Sequence, residues 1–160
     1  MPGYGLAPTD GGQGLLPWSW AEERLRAARR YWVATAGAAG PHLAAVWALW
    51  ADDQLYFSTG GASRKARDLA ADPRVSVSLE GAAESLVLTG VAERVTDLER
   101  LASIQSAYEA KHGMGYPDPD ENPVFAIRVC TAIAVTDDEL AFTELATRWT
   151  FTDDERKIEP

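Results

Sequence analysis

The residues best equipped for chemistry fall in one run, Phe57-Ser58-Thr59-Gly60-Gly61-Ala62-Ser63-Arg64-Lys65-Ala66-Arg67. The run leaves a strand, passes a glycine pair and enters a helix whose first turn carries Arg64, Lys65 and Arg67. A helix N-terminus bears about half a positive charge, so cations there cost a few tenths of a kcal/mol each. An anion at that end resolves the conflict. Free amides, the Ser63 cap, the Ser58 and Thr59 hydroxyls and the cations then converge on one phosphate. The competing reading pairs the cations with Asp68, Asp72 or Glu80, or leaves them in solvent. The run is not a triphosphate loop, because its lysine follows no Gly-x-x-x-x-Gly and precedes no Ser or Thr.

The elements that would position this run are mostly strands. Ser19-Trp20-Ala21-Glu22 has the form of a capping box and predicts a helix to about Arg29. Tyr31–Ala36 and His42–Trp50 read as strands around a Gly37–Pro41 turn, with Leu43, Ala45, Trp47 and Leu49 on one face. Asp52-Asp53 turns the chain into Leu55–Ser58. Connections this short make an antiparallel meander. A helix from Ser63 stops before Pro73. Val75, Val77 and Leu79 alternate with Ser76, Ser78 and Glu80, and a strand from about Ser85 to Val95 carries Gly90 as a bulge candidate. Thr96-Asp97-Leu98-Glu99 repeats the capping pattern. Its helix places Leu98, Leu101, Ala102, Gln105 and Tyr108 on one stripe and ends at Gly113. After a Pro/Asp loop over Gly115–Asn122 come a strand at Phe125–Thr136, a turn back at Leu140–Phe142 and a last element at Thr147–Phe151. Six or seven strands with three helices predict a mainly β (α+β) antiparallel barrel, with helices over its ends.

Composition narrows the partners. The net charge of −9 on 160 residues disfavours nucleic acid and anionic membranes, which reward a basic surface. No apolar run approaches the ~20 residues of a membrane helix, and the Gly/Pro-rich start lacks a secretory signal's features. The expected organisation is a mobile tail over 1–17, a single domain over 18–152 and a charged tail over 153–160. Cys130 is the sole cysteine, which excludes an internal disulfide and a Cys-x-x-Cys metal cage. The expected compartment is the cytoplasm. Of fifteen cations only three are lysines (65, 111 and 157), so a lysine inside the motif stands out.

With these elements in order, the chain resembles the split-barrel flavin and deazaflavin oxidoreductases related to pyridoxamine 5'-phosphate oxidase. The resemblance rests on Trp32-Val33-Ala34-Thr35, Pro41-His42, Val46-Trp47, Leu55-Tyr56-Phe57-Ser58-Thr59, Ser63–Leu69 and Asp72-Pro73-Arg74-Val75, and again on Arg148-Trp149-Thr150-Phe151. It implies a split β-barrel of about six antiparallel strands, like the FMN-binding proteins. It implies that Ser58, Thr59, Ser63, Arg64 and Lys65 hold a cofactor phosphate and that the Val46-Trp47-Ala48 strand lies along the cofactor ring. It also implies a homodimer with two cofactors at the subunit interface. The Ser-Thr-Gly-Gly cradle and the Thr-Arg-Trp-Thr-Phe ending look more like the branch using deazaflavin coenzyme F-420 than the FMN branch. The Arg-x-His pair of true pyridoxamine phosphate oxidases is absent: no histidine follows His112. The expected activity is therefore hydride transfer from reduced F-420 to a small enone, quinone or tetrapyrrole-like substrate. An FMN oxidoreductase is the alternative, and a non-catalytic cofactor or haem binder a third reading.

The remaining candidates have plainer readings. Trp47 and Trp50, three apart on a strand, face opposite sides, with Trp47 the candidate wall of the site. Arg148 and Trp149 are candidates to reach the cofactor of a partner subunit, against the alternative of a strand-closing aromatic. Glu109 and His112 lack the second pair a di-iron helix bundle needs, so His112 reads as a helix C-terminal dipole contact. Asp118, Asp120 and Glu121 lack the glycine and distal glutamate of a calcium loop. His42 reads as a surface strand residue and Cys130 as a small buried one. No residue is assigned as a catalytic acid, and none as a metal ligand.

Overall fold

The structure is a computed structural model, and it describes residues 16–79, 84–116, 118–136 and 146–151. The N-terminal tail up to residue 15, Glu80, the Leu140–Phe142 turn and the charged tail at 153–160 lie outside the described residues. Ten elements follow one another: α1 (Trp18–Ala27), β1 (Arg30–Gly37), β2 (Gly40–Ala51), β3 (Gln54–Ser58), α2 (Arg64–Ala71), β4 (Arg74–Leu79), β5 (Glu84–Arg94), α3 (Leu98–His112), β6 (Val124–Thr136) and β7 (Thr147–Thr150). All strand pairs are antiparallel, in the order β3-β2-β1-β4-β5-β6-β7, and β3 also pairs β6. The first six strands close into a barrel, and β7 pairs β6 beyond the stretch of it that β3 pairs.

Alternation along the strands sends one set of side chains inward. Tyr31, Val33, Val46, Ala48, Trp50, Leu55, Phe57, Val77, Leu86, Leu88 and Ile127 fill the barrel. Leu43, Ala45, Trp47 and Leu49 do share a face, but it is the outer one. Leu49 is buried because α3 lies across the outer wall, packing Ile104 and Tyr108 on Leu49, Tyr56, Val124 and Ala126. Two helices thus meet the expectation of lying over the barrel ends, while α3 covers its side. Ala21 and Leu25 of α1 join the core beside Trp50, and Ala66 and Leu69 of α2 join it beside β1.

Three local expectations need correction. The first helix begins at Trp18 with Pro17 before it and no side-chain cap, because Glu22 pairs with Arg26 instead of reaching back to Ser19. The third helix is capped by Asp97, which accepts from the Arg100 amide, so Thr96 lies outside it. Its buried stripe is Ile104, Tyr108 and His112, while Leu98 is 80% exposed. Other signals hold. Asp52 and Asp53 take positive φ (47° and 56°) in the two-residue turn between β2 and β3, a geometry short acidic side chains tolerate. The β5–β6 register shifts at Gly90, leaving Cys130 as the extra residue. A Cβ at Gly90 would lie 2.2 Å from the Arg128 carbonyl oxygen, so the bulge requires glycine.

Candidate functional site

The cradle forms where β3 ends. Ser63 adopts extended backbone before α2 and caps it, its hydroxyl accepting from the Ala66 amide at 3.2 Å. The Thr59 hydroxyl lies 3.1 Å from that of Ser63, and the Ser58 hydroxyl donates to the Asn122 carbonyl at 2.9 Å. The loop is held by Thr59 and Gly61, whose amides donate to the Pro123 and Glu121 carbonyls, and by the Ser63 amide, which donates to the Gly60 carbonyl. The amides of Gly60, Ala62, Arg64 and Lys65 are left with no acceptor among the described residues. Three hydroxyls and four open amides at a helix N-terminus suit a phosphoryl group.

The three cations divide. Arg64 donates to the Gly40 carbonyl at 2.9 Å and approaches the Asp68 carboxylate at 3.6 Å. Asp68 itself is buried and accepts from the Thr35 hydroxyl at 2.9 Å. Arg67 folds back on the Ala62 carbonyl. Lys65, half-buried, has no hydrogen bond or ion pair among the described residues. The competing pairing of cations with Asp68 therefore applies to Arg64, and Lys65 is the charge left over at the helix start.

The β2 strand runs beside this cradle. Ala48 pairs with Phe57, and the next residues along are Trp47 and Ser58. Trp47 is 42% exposed on the outer face, whereas Trp50, at 5%, lies inside. Val46 and Ala48 point into the barrel, so a ring on the outer face would meet only their main chain. The Trp47 ring stacks on His112, centroids 5.5 Å apart and 9° from parallel, and His112 Nε2 lies 3.1 Å from the Ala48 carbonyl oxygen. Burial lowers the His112 pKa, and Lys111 and Arg29 lower it further, against the bond to Ala48. The Lys111 amine, buried with no acceptor among the described residues, is lowered to about 8, mainly by burial. The sequence reading missed His112 and the Asn122 carbonyl. The spacing Ile104, Tyr108, His112 is a signal that would have marked the histidine as inward-facing.

Arg148 and Trp149 lie elsewhere. Val124, which pairs with Ser58, and Thr131, which pairs with Thr150, are seven residues apart on β6, roughly 23 Å of extended strand. Trp149 packs on Trp18 at 5.4 Å, in a group with Trp50 and Phe151 that closes one barrel end. Within one subunit these two residues are not brought to the cradle, though Arg148 is exposed. Among the described residues no cluster of His, Cys, Asp and Glu could hold a metal ion, and no helix is long and apolar enough to cross a membrane. His42 is half-buried rather than superficial, with its Nδ1 unpartnered among the described residues. Cys130 is half-buried beside a groove of about 550 Å³ over β1, β4, β5 and β6.

A closed antiparallel barrel with a hydroxyl-rich strand-to-helix turn at its rim places the chain in the split-barrel class of folds. The chain belongs to the pyridoxamine 5'-phosphate oxidase family, whose profile matches residues 20–137. Curated proteins yield no significant match to the sequence. Among solved structures, a conserved hypothetical protein from Mycobacterium tuberculosis is 23% identical, with a TM-score of 0.69 over 82% of this chain and 92% of that one. A heme binding protein from Mycobacterium smegmatis is also 23% identical, with a TM-score of 0.65 over 84% of this chain and 59% of that one. An F-420 reductase is 20% identical, with a TM-score of 0.57 over 69% of this chain and 94% of that one. At these identities the likeness is one of fold.

Proposed function

We propose that the chain is a cytoplasmic oxidoreductase that takes reduced deazaflavin coenzyme F-420 as hydride donor and reduces a small enone, quinone or tetrapyrrole-like substrate, working as a homodimer. The observation that carries this reading is the cradle itself. Four open amides, the Ser58, Thr59 and Ser63 hydroxyls and a Lys65 with no partner among the described residues gather where β3 ends, and the Ala48–Phe57 pairing brings Ser58 alongside the exposed Trp47. When bound, the coenzyme supplies the hydride. The protein's own groups bind, orient and dry the site. The amides and Lys65 hold the phosphate, Trp47 walls the ring, and the main chain of Val46 and Ala48 runs along it. Arg64 reaches the phosphate only by leaving Gly40 or Asp68. The Ser58-Thr59-Gly60-Gly61 run and the Arg148-Trp149 ending support the deazaflavin over FMN.

Trp32 and Leu43, 40% and 61% exposed, lie with Trp47 on the outer face of β1 and β2. A second copy over this face would exclude water and bring Arg148 and Trp149 of another subunit within reach. The test is to mix the purified protein with oxidised F-420 or FMN, measure binding, and then follow oxidation of reduced F-420 against a panel of enones and quinones. Acceptor-dependent oxidation is expected. A yellow protein with FMN bands near ~450 nm assigns FMN, and tight binding without turnover on any acceptor removes the reductase activity.

A further inference from the structure

His112 is buried at 7% exposure and spans two elements. A carbonyl only accepts, so the 3.1 Å contact with the Ala48 oxygen places the hydrogen on Nε2. Nδ1 then carries a bare lone pair, buried and without a partner among the described residues. One face of the ring meets Trp47, and Tyr108 lies 4.3 Å away at a 41° tilt. Among the described residues the charged groups acting on it are cations, Lys111 on its own helix and Arg29 ahead of β1, and a third cation, Arg30, pairs with Trp47 across β1 and β2; Arg29 also donates to the His112 carbonyl. Tyr108 adds only a neutral phenol, since burial raises its pKa.

We infer that His112 is a pH-sensitive positioning residue: neutral, it fixes the Trp47 ring and the Ala48 main chain in register with the cradle, and protonated, it releases them. The protonated ring would bring a hydrogen with no acceptor among the described residues and a charge beside two like charges, costs set against the attraction of a cation for the indole face, and on their balance acid opens the stack. For its functional meaning the inference rests on the cofactor reading of Trp47; the ring geometry stands apart from it.

The test begins with the protein free of cofactor. Tryptophan emission is titrated from about pH 8 to pH 4.5 in the native protein, Trp47→Phe, His112→Gln, His112→Phe and His42→Gln, with circular dichroism following the fold. A step in Trp47-dependent emission is expected below the roughly 6.5 of free imidazole. It should vanish in Trp47→Phe and both His112 variants and persist in His42→Gln. Persistence in His112→Gln, or no Trp47-dependent change above pH 4.5, overturns the inference. In a second arm at pH 7.5, the dissociation constant of F-420 or FMN should rise about tenfold in His112→Ala and stay within about threefold in His112→Phe, which keeps the stack. Equal affinity in His112→Ala overturns the positioning role. If the native protein binds neither cofactor, the cofactor reading fails while the emission arm still decides the role of His112. Should His112→Ala not fold, His112→Phe and His112→Gln decide it.

Discussion

At the scale of the residue, two lysines have opposite situations. Lys65 sits at the α2 start with no partner among the described residues and open amides around it. Lys65→Ala is expected to weaken cofactor binding by ~1.5–3 kcal/mol, the range of a charge-assisted hydrogen bond, while leaving the fold intact. Titration calorimetry beside a thermal melt reads both, and an unchanged dissociation constant removes Lys65 from the cradle. Lys111 carries its amine into a buried place, 6.0 Å from the Tyr31 ring and with no acceptor among the described residues. Its folded pKa, about 8, lies below the ordinary 10.5. The native state therefore binds the proton less readily than the unfolded chain. Stability tied to this group is fully present above about pH 10.5 and is lost as pH falls toward about 8. Lys111→Met should stabilise the protein at pH 7 by about 1 kcal/mol after allowance for partial exposure, and should abolish the gain between pH 8 and 10.5. Urea denaturation at the three pH values decides it.

At the scale of the element, what surrounds a segment overrode two local patterns. Thr96 and Glu99 have capping-box spacing, but the cap is Asp97. Asp97→Ala should cost about 1 kcal/mol and Thr96→Ala a few tenths at most, a contrast that chemical denaturation measures directly. The expected stripe from Leu98 to Tyr108 slid by about one position because the wall beneath α3 offers Leu49, Tyr56 and Val124 to Ile104 and Tyr108. By contrast, Gly90 was legible as a bulge because glycine inside an alternating strand has few other reasons to be there. Gly90→Ala pushes a methyl group against the Arg128 carbonyl and is expected to cost about 2 kcal/mol or more, seen as a lower urea midpoint.

At the scale of the whole molecule, the barrel has an apolar outer face that the described residues leave exposed. Trp32 and Leu43 stand out on β1 and β2, and Trp47 is buried on one side only, by His112. In the proposed dimer this face is shared, so Leu43→Glu should shift the protein to monomer in light scattering with an unchanged circular dichroism spectrum. Cofactor affinity should fall with it. A Leu43→Glu protein that stays dimeric rejects this face as the contact. In the proposed dimer, the roughly 23 Å between cradle and β7 leaves a second copy as the route by which Arg148 would reach a cofactor.

Local signals settled most of what is local, the two mistaken helix caps and the α3 stripe aside. Strand alternation, the Ser63 cap, the stop at Pro73, the Asp52-Asp53 turn and the Gly113 terminus, which takes φ 77°, depend on a residue and its near neighbours and could be read in order. The tertiary structure alone decided which barrel face is outer, that Arg64 is taken up by Gly40 and Asp68 while Lys65 is not, and that His112 lies under Trp47. Each of those joins residues far apart in the chain, and their meeting depends on how the barrel closes and where α3 comes to rest, which no spacing along the chain encodes.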